Sequence, residues 1–468
     1  MSVRITPLTM QPSARAALGQ PRVPFKVYTQ RDLESIEALN RLDEAARFEM
    51  KVVSTVLPFR VNQYVIDELI DWTRVPDDPI FQLTFPQRGM LAEEHFERVA
   101  ALLRAGADKA TIDAAVDAVR HELNPHPADQ MAMNMPLDEE GHRLDGMQHK
   151  YRETVLFFPS QGQTCHSYCT FCFRWAQFVG DKELRIASSE AQALHQYLRT
   201  HPEVTDLLFT GGDPMVMKTK HLAAYLEPLL EPEFDHIQTI RIGTKALSFW
   251  PHRFLGAEDA DDLVRLLERM VEAGKHIAVM AHYNHWKELD TDAAQAAIRR
   301  VRSTGAVIRA QGPLIAHIND DPAVWARMWK LQVRLGIVPY YFFVERDTGA
   351  RNYFEVPLVR AWEIYREAMQ QVSGLARTAR GPSMSASPGK VEIQGVTEIA
   401  GEKVFVLRFI QGRNPDWVQR PFFARFDEKA TWLDHLKPAF GEEKWFWEDE
   451  YAAIREARLA AAEPGDHA

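Results

Sequence analysis

Cysteine is scarce in this chain: there are three in 468 residues, and all lie between 165 and 172. Three thiols cannot all pair with one another, and a chain this long does not need disulfides to fold. A reducing cytoplasm is the expected home. Long apolar runs are missing too. None approaches the roughly 18 residues of a membrane span, and the opening stretch MSVRITPLTMQPSARAALGQ lacks the apolar segment of a secretory signal. Positive charge is in deficit, with 55 Lys and Arg against 65 Asp and Glu, a net −10 spread without a basic block. That balance argues against wrapping nucleic acid or adhering to an anionic membrane. No repeat recurs at a solenoid period. What remains is a chain 46% hydrophobic, enough for a large core in one elaborated domain or in two to three units.

Residues 1–153 read as a mostly helical region. Segments such as EEHFERVAALLRAG and KATIDAAVDAVRHEL carry apolar residues at spacings of three and four. A connector rich in Pro, Met and Asp follows at 124–152. From residue 154 short apolar runs alternate with helical stretches. The runs are TVLFFP (154–159), DLLFT (206–210), IQTIRI (237–242), HIAVMAH (276–282), AVIRAQ (306–311) and VPYYFFV (338–344). Six strands with five intervening helices predict βα units and parallel pairing over 154–371, either curled as a partial barrel or spread as a doubly wound sheet. Residues 372–468 hold a Ser- and Gly-containing segment, a β-like stretch EKVFVLRFI and an aromatic, acidic end.

In either arrangement the site is expected where the strands end at their carboxyl side. The cysteine loop follows the first strand, GGDP (211–214) the second and GTK (243–245) the third. HYNH (282–285) ends the fourth, Gln311 the fifth and ERD (345–347) the sixth. Turn formation explains any one of these; it is a poor explanation of all six.

Cys165, Cys169 and Cys172 admit several chemistries. A structural zinc needs a fourth ligand, for which His166 is adjacent and His149 remote. A dithiol redox pair would use CTFC and leave Cys165 without a purpose. Inert buried thiols would not gather among polar neighbours. Three thiolates on a cubic iron-sulfur cluster leave one iron without a protein ligand, free to bind and reduce something.

The spacing Cys-x3-Cys-x2-Cys, with Phe171 before the third cysteine, resembles radical S-adenosylmethionine enzymes, and GGDP resembles their glycine-rich cofactor segment. A narrower likeness spans about 76–391. Through DDPIFQLTFP, DGMQHKYRETVLFF, CHSYCTFCFRW, TGGDPM, RIGTK, HYNH, RAQGPL, HINDDP, GIVPYYFF and SPGK the chain is similar to the lysine 2,3-aminomutase group. The resemblance implies a partial (β/α)6 TIM-like barrel, a [4Fe-4S] cluster, S-adenosyl-L-methionine and pyridoxal 5'-phosphate. It also implies a one-electron reductant such as flavodoxin or ferredoxin, and a free amino acid whose α-amino group moves to the β-carbon. Assembly as a homo-oligomer is left open, because the family's carboxyl-terminal zinc-binding cysteines are absent.

Residue by residue, the likeness places Gly211, Gly212, Asp213 and Gln311 at the cofactors. Lys390 of SPGK is the lysine for pyridoxal phosphate, and Lys150 with Arg152 supplies charges for its phosphate. Arg174 matches the clamp for the substrate α-carboxylate, since a planar fork suits a carboxylate. The two positions that hold the distal ammonium in lysine-specific members fall here on Arg346, one residue before Asp347, and on Ser383. In that register a cationic side chain would meet Arg346 without counter-charge. The expectation is an amino acid with an anionic or neutral polar side chain, glutamate among them. Lysine itself, with Asp347 as its contact, and a related enzyme without pyridoxal phosphate are the alternatives. A metal-stabilised scaffold without catalysis is the remote one.

Overall fold

The computed structural model describes residues 24–125, 127, 130–138, 140–179 and 186–462. The stretch read above for a secretory signal lies outside them. Among the described residues no helix is long and apolar enough to cross a membrane. Two short strands, β1 (Val27–Thr29) and β2 (Arg60–Asn62), pair antiparallel within the helical amino-terminal region. Eleven more form one sheet: β3 (Met147–Tyr151), β4 (Thr154–Phe157), β5 (Asp206–Phe209), β6 (Thr239–Thr244), β7 (His276–His282), β8 (Val307–Leu314), β9 (Val338–Val344), β10 (Arg380–Ser385), β11 (Gly389–Ile399), β12 (Glu402–Gly412) and β13 (Pro421–Arg425).

The strands lie side by side in chain order. β4 to β10 are mutually parallel. β3 joins one edge antiparallel, and the β11–β12–β13 meander joins the other. The six strands read from sequence are present, with boundaries moved by a few residues. The parallel run has a seventh member, β10, that the six-strand reading omitted. Its sequence, Arg-Gly-Pro-Ser-Met-Ser, has no apolar run to announce it. The sheet is an open, curled one with two ends rather than a barrel closed by strand pairing.

Strand alternation sorts the side chains. Val155, Phe157, Leu207, Phe209, Ile240 and Ile242 face outward into the main core, shared with the covering helices. Their in-between neighbours face the concave side. The helix Ala260–Glu272 covers that core with Leu263, Leu266, Leu267 and Met270 on one face. Asp321 caps Pro322–Arg334 through Ala323 N (2.8 Å), and Thr291 caps Asp292–Ser303 through Ala294 N (3.1 Å). Gly305 and Gly336 follow these last two helices with φ of 86° and 74°, the left-handed turn that sends the chain back into a strand.

The amino-terminal helices do not cover the outer face. Their core takes in Phe171, Trp175, Phe249, Ile315 and Phe354, residues of the loops at the carboxyl ends of the strands. This region therefore caps the rim where the site is expected. A third core joins β10–β13 to the aromatic residues of the carboxyl-terminal end.

Replacing Phe157, fully buried against Phe209 and Tyr225, with alanine is expected to destabilise the fold by about 3–5 kcal/mol. Equilibrium urea unfolding checks this, and a loss below about 1 kcal/mol would show that β4 is not a central core strand.

Candidate functional site

Three rim loops meet at one carboxylate. Asp213, 2% exposed, accepts from Met215 N (2.9 Å), Thr244 Oγ1 (2.7 Å) and Lys245 N (2.8 Å), and lies 3.0 Å from His166 Nε2. Its own N–H donates to the carbonyls of Gly162 and Thr164. The loop after β5 is thereby fastened to the loop after β6 and to the cysteine loop. The glycines permit the approach. A Cβ on Gly212 would stand 2.4 Å from the Thr164 carbonyl oxygen, and Gly211, at φ 133°, lies against Gln163. Lys245 continues the fastening, pairing with buried Glu288 and donating to Asn284 Oδ1 (3.0 Å). Glu288 also accepts from Asn284 N (2.6 Å) and His285 N (3.1 Å). Asn319 ties in the loop after β8 through Asn284 O and Pro313 O. Thr244, Lys245, Asn284 and Asn319, from GTK, HYNH and HINDDP, thus hold the rim in shape.

The cysteine loop is held from the other side by the amino-terminal cap. Tyr168 N donates to Arg60 O (2.8 Å) and Thr170 N to Leu83 O (3.0 Å), while Thr170 Oγ1 reaches Gln82 O (2.8 Å). The helix Pro79–Thr84 that supplies two of these carbonyls is capped by Asp78, which also takes Lys287 Nζ at 2.5 Å. Within the loop, Cys172 N donates to Cys169 O (3.1 Å). The three cysteines are free thiols of intermediate exposure. Burial pushes all three up, Cys172 to about 11. Their sulfurs do not form a set within 4.8 Å of one another. Among the described residues only Asp138, Glu140 and His142 on an outer loop do so. A single tetrahedral ion with metal–sulfur bonds of about 2.3 Å needs sulfurs about 3.8 Å apart. The wider spacing fits a cluster better than one zinc.

Beside this loop the concave face of the sheet encloses a cavity of about 270 Å³. Alternate positions supply its wall: Thr154 and Leu156 of β4, Tyr341 and Phe343 of β9, Ser383 and Ser385 of β10. Five basic side chains line it, Lys150, Arg174, Arg241, Arg346 and Lys390, against one carboxyl, Glu345. Arg241 is paired with Asp206 (2.7 Å). Among the described residues no carboxylate lies within 4.0 Å of the charged groups of the other four. Arg174 stacks on Phe158 (4.4 Å) and Phe173 (4.9 Å) with Nη1 buried and unpartnered, and burial brings it down to about 10. Among the described residues Arg346 Nε has no partner and Nη2 donates to Pro127 O (3.4 Å), and the buried Ser383 hydroxyl has no partner. Burial raises Glu345 well above the carboxylate range.

Lys390 Nζ lies 4.0 Å over the Tyr341 ring. Burial, with Arg241 and Arg380 adding repulsion, brings it down to about 7. Lys150 Nζ donates to Ala386 O (2.5 Å), three residues before β11. Lys390 is thus a buried amine of lowered basicity in the same cavity as Arg174, Arg346 and the Ser383 hydroxyl.

Of the residues read from sequence, the structure brings Lys150, Arg174, Gln311, Arg346, Ser383 and Lys390 into one cavity. Lys390, in the segment that follows the parallel strands, sits on β11. Arg152 is exposed and outside the cavity lining. Asp347 is not among the residues lining the cavity: Asn124 Nδ2 donates to its backbone carbonyl (2.7 Å) and lies 3.4 Å from Oδ2, while Oδ1 is buried with no partner among the described residues. The Asp213 carboxylate is fully occupied by the rim. Sequence reasoning missed Gln148, Tyr151, Arg241, Tyr341 and Glu345. Arg241 had left a signal, a charge set between the apolar Ile240 and Ile242.

No family model matches the sequence. Among curated proteins, one from Aquifex aeolicus described as "Putative L-lysine 2,3-aminomutase" is 30% identical over 414 residues, covering 88% of this chain and 96% of that protein. The L-lysine 2,3-aminomutase of Methanococcus maripaludis is 23% identical over 84% of this chain and 80% of its own length. That of Escherichia coli is 27% identical over 55% and 71%. Among solved structures, a radical SAM methyltransferase from Sphaerobacter thermophilus aligns at 14% identity and TM-score 0.34 over 62% of this chain and 94% of its own. SuiB of Streptococcus suis bound to S-adenosylmethionine aligns at 14% and 0.32, over 60% and 58%. Both likenesses are too low to bear on function.

Asp213→Asn is expected to turn an amide N–H₂ toward donors that need an acceptor, at a cost of about 1–3 kcal/mol. Urea unfolding should show the loss, and the thiols of the iron-free protein should react faster with a thiol reagent. If neither moves, Asp213 does not fasten the loop.

Proposed function

The chain belongs to the lysine 2,3-aminomutase family, and on that premise we propose that it is a radical S-adenosylmethionine enzyme acting on a free α-amino acid with an anionic or neutral polar side chain. The observation that carries the substrate class is the cavity lined, among the described residues, by five basic side chains and one carboxyl. An anion entering there gains partners for groups already buried; a cation would add to the repulsion.

Cys165, Cys169 and Cys172 are the ligands for a [4Fe-4S] cluster, which with S-adenosylmethionine and one electron from a reductant such as flavodoxin or ferredoxin supplies a carbon radical for hydrogen abstraction. Gly211, Gly212 and Gln311 border the cofactor, and Asp213 acts by positioning the loop that holds it. Arg174, two residues beyond Cys172, clamps the α-carboxylate. Its unpartnered Nη1 and its stacking on two rings leave a preoriented fork. Arg346 and Ser383 receive the distal end of the substrate, a carboxylate in the case of glutamate.

The finer reading is a 2,3-aminomutase in which Lys390 bonds pyridoxal phosphate, a group that makes nitrogen migration between neighbouring carbons accessible. Lys390 supplies a neutral amine near pH 7 and Lys150 faces the phosphate. Arg152, exposed, takes no part.

A second reading has its own support. The curated relatives are described as lysine 2,3-aminomutases, and lysine as substrate is the alternative. Against it, Asp347 is engaged with Asn124 rather than the cavity. An enzyme of the same ancestry without pyridoxal phosphate is the other alternative.

Two experiments separate these. Anaerobically reconstituted, reduced enzyme given S-adenosylmethionine and an amino-acid panel is expected to yield the β-amino isomer of glutamate or another polar amino acid, and Arg346→Ala to raise KM at least ten-fold. Turnover of lysine alone would transfer the assignment to the second reading. Borohydride trapping of added pyridoxal phosphate is expected at Lys390 and absent in Lys390→Ala. Because the amine is deprotonated above about 7, trapping should rise through pH 7 and level off above pH 8. No adduct at any pH would leave the reading without pyridoxal phosphate.

A further inference from the structure

The two sides of the curled sheet approach one another without pairing, and what fills the seam is side-chain chemistry. Lys150 of β3 reaches across to Ala386 O beyond β10. The short helix Gln130–Asn134 lies in the seam, with Gln130 and Asn134 lining the cavity and Met133 and Met135 buried. Arg413, just past β12, holds it: Nη2 donates to Asn134 Oδ1 (2.6 Å) and Nη1 to Met133 O (3.3 Å), while Nε donates to Ser387 O (2.8 Å). Behind it stands the carboxyl-terminal helix Glu448–Ala462. Arg458 of that helix donates to Met135 O. Its first turn is anchored where Glu450 Oε2 accepts from Trp417 Nε1 (2.7 Å) and Asn414 Nδ2 (2.8 Å). Tyr451 and Ile454 pack against the aromatic core of β10–β13.

We propose that the carboxyl-terminal helix is a latch in cis: through Arg458, and with Arg413, it holds Gln130–Asn134 across the seam and keeps the cavity sealed from water. The seam lacks a strand ladder, and these arginine contacts cross it. The same contacts steady residues 386–388, the approach to Lys390. The proposal rests on the geometry of the wall and stands whichever substrate reading holds.

The test uses the full-length chain free of cofactors, with hydrogen–deuterium exchange and labelling by trinitrobenzenesulfonate read peptide by peptide. In Arg458→Gln, exchange over 130–138 is expected to accelerate roughly ten-fold, as for a lost charge-assisted hydrogen bond. Lys150 and Lys390 should label faster, while β5–β8 keep their protection. Arg458→Lys, which retains a donor, should recover most of the effect, and Arg413→Gln combined with Arg458→Gln should exceed either alone. Unchanged exchange and labelling in the double variant would overturn the latch. So would equal acceleration in β5–β8, which would make Arg458 a contributor to overall stability instead.

Discussion

The carboxylate of Asp213 accepts hydrogen bonds from groups on loops that leave β5 and β6 and faces a histidine of the loop that leaves β4, all inside a site almost closed to water. Parallel strands deliver their ends to one rim without fixing the loops relative to one another, because the ladder stops where the loops begin. A buried anion with several convergent donors supplies that missing constraint, since each donor would be costly to leave unsatisfied. The cysteine loop inherits its position from this arrangement on one side and from carbonyls of the amino-terminal cap on the other. The Lys245–Glu288–Asn284 network extends the same fastening around the rim to the loop after β8.

Inside that rim, the sheet divides labour by parity. One set of alternate residues builds the core under the helices, and the other set builds a cavity wall whose charges are nearly all of one sign. Aromatic faces under Arg174, Arg346 and Lys390 hold those basic groups in place by dispersion and ring electrostatics without consuming their donors. The groups stay oriented and available, which is what recognition of carboxylate and phosphate oxygens requires.

Much of this was legible in the sequence. β4 to β9 are short apolar runs separated by amphipathic helices, and burial on both faces makes such strands conspicuous. β10 was not legible, because its inward residues are serines and its neighbours a glycine and a proline; the tertiary neighbours Tyr341 and Phe343 make it a strand. The rim motifs were recognisable as unusual, but their use was not. Asp213 reads as a cofactor contact in sequence and is a fastening in three dimensions, because hydrogen-bond partners 31 and 47 residues away leave no local trace. The choice between Arg346 and Asp347 is a matter of one residue of register, beyond the end of β9, where no strand pattern in the sequence marks which side chain enters the cavity.

The charge imbalance of the cavity also makes the fold a reporter of its own contents. Basic groups held close together in a low-dielectric space repel one another, and an anion bound among them relieves that repulsion. A ligand bound only by the folded chain adds about 2.7 kcal/mol of stability at a hundred-fold excess over its dissociation constant. Melting temperature therefore becomes a readout of which anions the cavity accepts, one that needs neither the cluster nor turnover.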